Sequence, residues 1–165
     1  MVKVGVITVS DKGSRGERVD QGGPLIVEIV SELGWETKVT VIIPDEQVLI
    51  EQKLMEYADE VQVDIIFTTG GTGFAPRDVT PEATLAVVDR LAPGIAEAMR
   101  MESMKITPKA MLSRAVAGIR GKTLIINLPG SPKGVKECLG FILPGLGHGI
   151  DVLQGNTGDC AEKKD

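Results

Sequence analysis

Short apolar runs rich in β-branched residues alternate along this chain with stretches whose apolar residues recur at helical spacing. That alternation limits the fold more than any other feature. Val2 to Val9 reads as a buried strand, followed by a polar, glycine-rich loop from Ser10 to Gly23. Pro24 suits the first residue of a helix with Ile26, Ile29, Val30 and Leu33 on one face and Gly34 as its stop. Trp35 to Ile43 is a second strand. Beyond it, Asp45 can cap a helix carrying the stripe Ile50, Leu54, Tyr57, Ala58 and Val61. A third strand, Val63 to Phe67, runs into a long loop, after which Thr80 caps a helix that starts with Pro81 and turns Thr84, Val87, Val88 and Leu91 inward.

The second half follows the same logic less regularly. Pro93 to Lys105 reads as a helix whose methionines, Met99, Met101 and Met104, are core or subunit-interface filler rather than ligands. Thr107-Pro108 opens a shorter helix. Ala115 to Ile119 and Lys122 to Leu128 read as strands joined at Arg120-Gly121, and a helical region from Val135 to about Leu153 is expected to break near Pro144. These elements predict a three-layer αβα domain with a mainly parallel sheet, right-handed crossovers and a small β-hairpin extension. One domain over 1–153 is expected, with a polar tail over 154–165.

The loop after the third strand is the densest in glycine. From Thr68 to Pro81 it reads Thr-Thr-Gly-Gly-Thr-Gly-Phe-Ala-Pro-Arg-Asp-Val-Thr-Pro, and it leaves a strand at the end where open α/β sheets bind ligands. Gly70, Gly71 and Gly73 let a ligand approach the backbone, whose N–H groups can form an anion nest. No Gly-Lys-Ser/Thr follows Gly73, which excludes a Walker A loop, and Pro76 stands where a dinucleotide fingerprint needs its third glycine. A glycine-rich turn without a ligand is the plain alternative.

Composition narrows the function classes. Asp and Glu exceed Lys and Arg, 23 to 18, and the basic residues are scattered, which argues against a nucleic-acid footprint. One Trp, one Tyr and three Phe are too few for base-stacking platforms. No apolar run is long enough for a membrane span, and Met1 to Val9 lacks the pattern of a signal peptide, so a cytoplasmic location is expected. Cys138 and Cys160 form no disulfide framework and suggest a reducing compartment.

Four turns follow strands that a parallel sheet would align: those beginning at Ser10, Pro44, Gly70 and Leu128. They therefore share one edge. With His148 as the only histidine, a Ser-His-Asp triad or a zinc centre has little to draw on, and His148 reads as structural or surface. What the edge holds is carboxylates: Asp11, Asp45 and Asp78. Beside a glycine loop these suit Mg²⁺, a hard ion that takes one or two protein carboxylates and leaves its other positions to water and phosphates. Each aspartate has a structural alternative, Asp45 as a helix cap and Asp78 as a turn residue. Arg77 and Lys133 could hold phosphates or could equally be solvated charges, and Ser113-Arg114 are no clearer.

Taken in order, Val9-Ser10-Asp11, Pro44-Asp45-Glu46, Thr69 to Phe74, Pro76 to Thr84, Lys105 to Pro108, Met111 to Arg114, Ala117 to Gly121 and Ile125 to Gly130 form a specific series. It resembles the molybdopterin-binding domain of molybdopterin adenylyltransferases, over nearly the whole chain up to about residue 153. The resemblance implies Mg²⁺-dependent transfer of AMP from ATP to the terminal phosphate of molybdopterin, within molybdenum cofactor biosynthesis. It further implies a homotrimer that works with the other enzymes of that route. Asp45 and Asp78 would be the essential acidic pair and would hold the metal. Ser10, Asp11, Gly70, Gly71, Thr72, Gly73, Ser113, Pro129, Gly130 and Ser131 would lie around pterin and nucleotide, and Lys133 or Arg77 would neutralise phosphate charge. A similar group keeps the fold and the pterin loop as a non-catalytic binding or scaffold protein, which is the competing reading.

Overall fold

A computed structural model describes residues 1–156, which form six strands and six α-helices. The strands are β1 (Lys3–Val9), β2 (Glu36–Ile43), β3 (Ile65–Thr69), β4 (Arg90–Leu91), β5 (Ala117–Arg120) and β6 (Thr123–Leu128). The helices are α1 (Asp11–Ser14), α2 (Gly22–Glu32), α3 (Gln47–Met55), α4 (Thr80–Val87), α5 (Pro93–Met104) and α6 (Pro132–Gln154). A π-turn, Glu56–Glu60, extends α3, and a 3₁₀ segment, Pro108–Leu112, follows α5.

The sheet order is β2-β1-β3-β6-β5-β4. β2, β1, β3 and β6 run parallel, whereas β5 and β4 are added antiparallel as a hairpin and its short neighbour. Successive strand residues face opposite sides. Val4, Val6, Ile65, Phe67, Leu124 and Ile126 join a core with residues of α2, α5 and α6, while Ile7, Val9, Ile66 and Ile125 join a second core with α3 and α4. This is the expected three-layer αβα arrangement. Cys138 is a free thiol in the first core, and His148 is exposed on α6. Met99 is buried, Met101 and Met104 are exposed, and the tail beyond 156, with Cys160, lies outside the described residues.

Several local expectations are corrected. β3 lies two residues later than read, because Thr68 and Thr69 pair with Asn127 and Leu128 and are buried. α2 begins at Gly22 rather than Pro24, since Asp20 Oδ1 accepts hydrogen bonds from Gly22 N at 3.0 Å and Gly23 N at 3.1 Å. Leu33 falls beyond the helix and is exposed. Leu91 is also exposed, because α4 stops at Val87 and Leu91 belongs to the edge strand β4. Thr80 does not cap α4; its hydroxyl donates to the Gly70 carbonyl at 2.9 Å.

α6 does not break at Pro144. A proline inside a helix costs about 3 kcal/mol. Against that, α6 buries Val135, Cys138, Leu139, Ile142, Leu146 and Ile150, and burial of a large apolar side chain contributes about 1.5–3 kcal/mol each. Packing wins. Ser131 Oγ, accepting from Gly134 N at 3.1 Å, starts the helix, and left-handed Gly155 ends it.

Candidate active site

The four parallel strands deliver Ser10, Pro44, Gly70 and Pro129 to one edge of the sheet, as the turn topology requires. The glycine loop is pressed against β1. Gly70 has φ 101°, and a Cβ on it would stand 2.3 Å from the Val9 carbonyl oxygen; Gly71 has φ 66°, and a Cβ there would stand 2.3 Å from Thr80 Oγ1. Only glycine fits at 70, where the obstacle is backbone, and at 71 a Cβ would have to displace the Thr80 hydroxyl. The N–H groups of Gly71, Thr72 and Gly73 donate to nothing among the described residues, which leaves three consecutive donors free for an anion.

Buried polar contacts support the loop from below. Asn127, fully buried, donates to Thr68 Oγ1 at 3.0 Å and to Thr84 Oγ1 at 2.8 Å, and it accepts from Val116 N at 3.2 Å. Thr84 Oγ1 in turn donates to the Thr80 carbonyl, and Thr80 Oγ1 to that of Gly70. A continuous hydrogen-bonded path thus runs from β6 through α4 to the glycine loop. A polar residue inside the apolar run Ile125-Ile126-Asn127-Leu128 was the sequence signal for it, and it was missed.

The three aspartates occupy different situations. Asp11 and Asp45 exchange bonds, Asp11 N donating to Asp45 Oδ2 at 2.8 Å and Asp45 N to Asp11 Oδ1 at 3.0 Å. Arg77 forks onto Asp11, through Nε to Oδ2 at 2.9 Å and Nη2 to Oδ1 at 2.8 Å. That guanidinium holds the Asp11 carboxyl below its ordinary pKa. Asp45 is pushed the other way, chiefly by burial and then by the charges of Asp11 and Asp78, with its hydrogen bond to Asp11 and the charge of Arg77 offsetting part of the rise. Asp45 is therefore no helix cap; α3 follows Glu46 without a side-chain cap. Asp78 does make a turn bond, accepting from Ala75 N at 3.0 Å through Oδ2.

Among the described residues no group of three or more His, Cys, Asp or Glu side chains is arranged to hold a metal ion by itself. A two-carboxylate site completed by substrate oxygens remains compatible with the residues present. Both Asp11 oxygens are occupied by Arg77, whereas Oδ1 of Asp45 and Oδ1 of Asp78 take no hydrogen bond from the described residues. Glycine keeps the space beside each carboxylate open: a Cβ at 71 would sit 3.2 Å from Asp45 Oδ1, and one at 73 would sit 2.9 Å from Asp78 Oδ2. Hard oxygen donors in a surplus of negative charge suit Mg²⁺.

Two cavities flank the loop. One, of about 650 Å³, is lined by Thr8, Ser10, Arg18, Asp20, Thr69 and Ser131 among others. Its wall is fixed by Asp20, which accepts from Thr8 Oγ1 at 2.7 Å; sequence reasoning passed over Asp20 and Arg18. The other, of about 500 Å³, is lined by Thr72, Gly73, Ser113, Pro129, Lys133 and the apolar Met99 and Ile106. Pro129 also accepts from Thr69 Oγ1 at 2.8 Å, and Ser131 borders both cavities. Lys133 is 79% exposed, with only a loose 3.8 Å approach to Glu137. Arg77, by contrast, is already committed to Asp11.

The parallel order and the turns at its strand ends define an open α/β domain whose candidate site lies at the carboxyl edge of the sheet. The chain belongs to the family described as "Probable molybdopterin binding domain", whose model matches residues 5–148. It is similar to the molybdopterin adenylyltransferase of Helicobacter pylori strain J99, 46% identical over 167 residues, covering 98% of this chain and 93% of that one. The gephyrin of Dictyostelium discoideum is 46% identical over 160 residues, 91% of this chain but 22% of that protein. Among solved structures, the molybdopterin biosynthesis enzyme MoaB of Thermus thermophilus superposes with a TM-score of 0.90 at 50% identity, covering 94% of this chain and 98% of that one.

Proposed function

We propose that the chain is a molybdopterin adenylyltransferase that moves AMP from ATP to the terminal phosphate of molybdopterin. A phosphate oxygen of molybdopterin bonds to the α-phosphorus of ATP, the α–β bridging bond breaks, and pyrophosphate leaves. The observation that carries the reading is the flanking of one nest of free amides by Asp45 and Asp78, with a cavity on either side for two substrates. Asp45 and Asp78 would hold Mg²⁺, which when bound neutralises charge and aligns oxygens in phosphoryl-type transfer. Gly71 to Gly73 receive phosphate oxygens on their amides. Ser10, Thr72, Ser113 and the Pro129-Gly130-Ser131 turn shape the two cavities, and Asp11 fixes Arg77 beside Asp45. Lys133, without a close partner, supplies the mobile cation for substrate phosphate.

The working form in this reading is a cytoplasmic homotrimer that exchanges substrate and product with other enzymes of molybdenum cofactor biosynthesis. Met101 and Met111, each 63% exposed, and Met104, 51% exposed, give the chain apolar surface for self-association. No helix of the described residues is long and apolar enough to cross a membrane. The gephyrin similarity keeps a pterin-binding scaffold as the second reading. Incubation with molybdopterin, Mg²⁺ and α-phosphate-labelled ATP separates the two. Label on molybdopterin supports the enzyme, and a protein that binds pterin but transfers no label is a scaffold.

A further inference from the structure

Arg114 lies just after Ser113, which lines the second cavity, yet its guanidinium points into the glycine loop. Nε donates to the Gly73 carbonyl at 2.7 Å and Nη2 to the Asp78 carbonyl at 2.5 Å. Nη1 and Nη2 also reach the Glu82 carboxylate, and the Arg114 backbone N–H donates to the Thr72 carbonyl at 2.9 Å. One residue therefore grips the loop at 72, 73 and 78, on both sides of the turn that presents the Asp78 carboxylate.

We propose that Arg114 is a positioning residue that sets Asp78 and the free amides of the glycine loop in register with each other and with the second cavity. Four of its five guanidinium N–H donors are taken up by the two carbonyls and Glu82, which makes it a brace for the loop. Only a planar fork can serve Gly73, Asp78 and Glu82 together; a lysine ammonium, a compact point charge, cannot span the three acceptors. The ion pair with Glu82 is partly exposed, at 34% and 43%, so its share of global stability is small. What the guanidinium fixes is local. Two loop bonds report on it, Ala75 N to Asp78 Oδ2 at 3.0 Å and Asp78 N to the Ala75 carbonyl at 2.9 Å.

The kinetic part of this inference rests on the adenylyl-transfer reading; the structural part does not. In Arg114→Lys, the amides of Ala75 and Asp78 are expected to exchange with deuterium at least about tenfold faster, while core amides of β1 and β3 stay unchanged. In transfer assays kcat is expected to fall roughly 100-fold, the loss typical of a misplaced group, with KM for molybdopterin within about threefold and more Mg²⁺ needed for half-maximal rate. Glu82→Gln, which keeps the bonds to both carbonyls, is expected to stay within about threefold of wild type on every readout. Unchanged loop exchange in Arg114→Lys overturns the proposal, as does a fall in kcat that merely tracks the loss of folded protein. If wild-type protein transfers no AMP, the functional reading fails, and loop exchange in Arg114→Lys still decides the role of Arg114.

Discussion

Replacing Gly71 by alanine is the sharpest probe of how the glycine loop is built. Gly71 has φ 66°, a conformation that costs a residue with a Cβ about 1–2 kcal/mol. The added methyl would also stand 2.3 Å from Thr80 Oγ1, too close to keep that hydroxyl on the Gly70 carbonyl. Leaving that carbonyl without its partner costs about 1–3 kcal/mol. Together the two effects predict a loss of about 2–5 kcal/mol, or roughly 4–20 °C in Tm for a chain of this size. Urea unfolding at one fixed protein concentration measures it, since association would shift the midpoint. Thr80→Ala removes the atom the new methyl meets. The double variant is therefore expected to be more stable than the sum of the single changes by roughly 1 kcal/mol. A Gly71→Ala protein within about 0.5 kcal/mol of wild type, or strict additivity with Thr80→Ala, would refute the close approach.

Three further outcomes follow from the charges and the buried network. Asp11 has a lowered pKa because of Arg77, so the pair's stabilisation is present above the unfolded value of about 3.9 and is lost as the pH falls through the lower folded value; Arg77→Met should be less stable than wild type at pH 7 and equal to it in strong acid by thermal melts. Asp45 has a raised pKa, so its carboxylate destabilises the fold above that value and the penalty fades on acidification. Asp45→Asn should accordingly melt no lower than wild type at pH 7 without divalent ions, and a clear drop would contradict the burial and repulsion assigned to it. Asn127→Leu removes bonds to Thr68, Thr84 and Val116 and should cost about 3 kcal/mol or more in urea unfolding, with faster amide exchange around Gly70.

The sheet was legible because its strands are buried on both faces and read as continuous apolar runs, bounded by loops whose glycines and prolines punctuate clearly. Placing Ser10, Asp45, Gly70 and Pro129 at one edge needed only the parallel order. Local propensity failed where distant contacts decide. Thr80 looks like a cap in sequence, but its hydroxyl goes instead to the carbonyl of Gly70, ten residues earlier. Pro144 looks like a break, but α6 has too much apolar surface to bury. Arg77 and Arg114 were indistinguishable as charges, because pairing with Asp11 across 66 residues or with Glu82 across 32 leaves no local trace. Asp20, too, acquires its role only when β1 brings Thr8 beside it.

In the proposed function Asp45 and Asp78 act as a pair on one transfer reaction. Single-turnover AMP transfer from labelled ATP to molybdopterin, run on wild type, Asp45→Asn and Asp78→Asn with assembly state and pterin binding checked in parallel, tests it most directly. The expected result is that both variants keep wild-type assembly and pterin affinity but lose transfer by roughly 100-fold or more. Transfer at wild-type rate in either variant would contradict it.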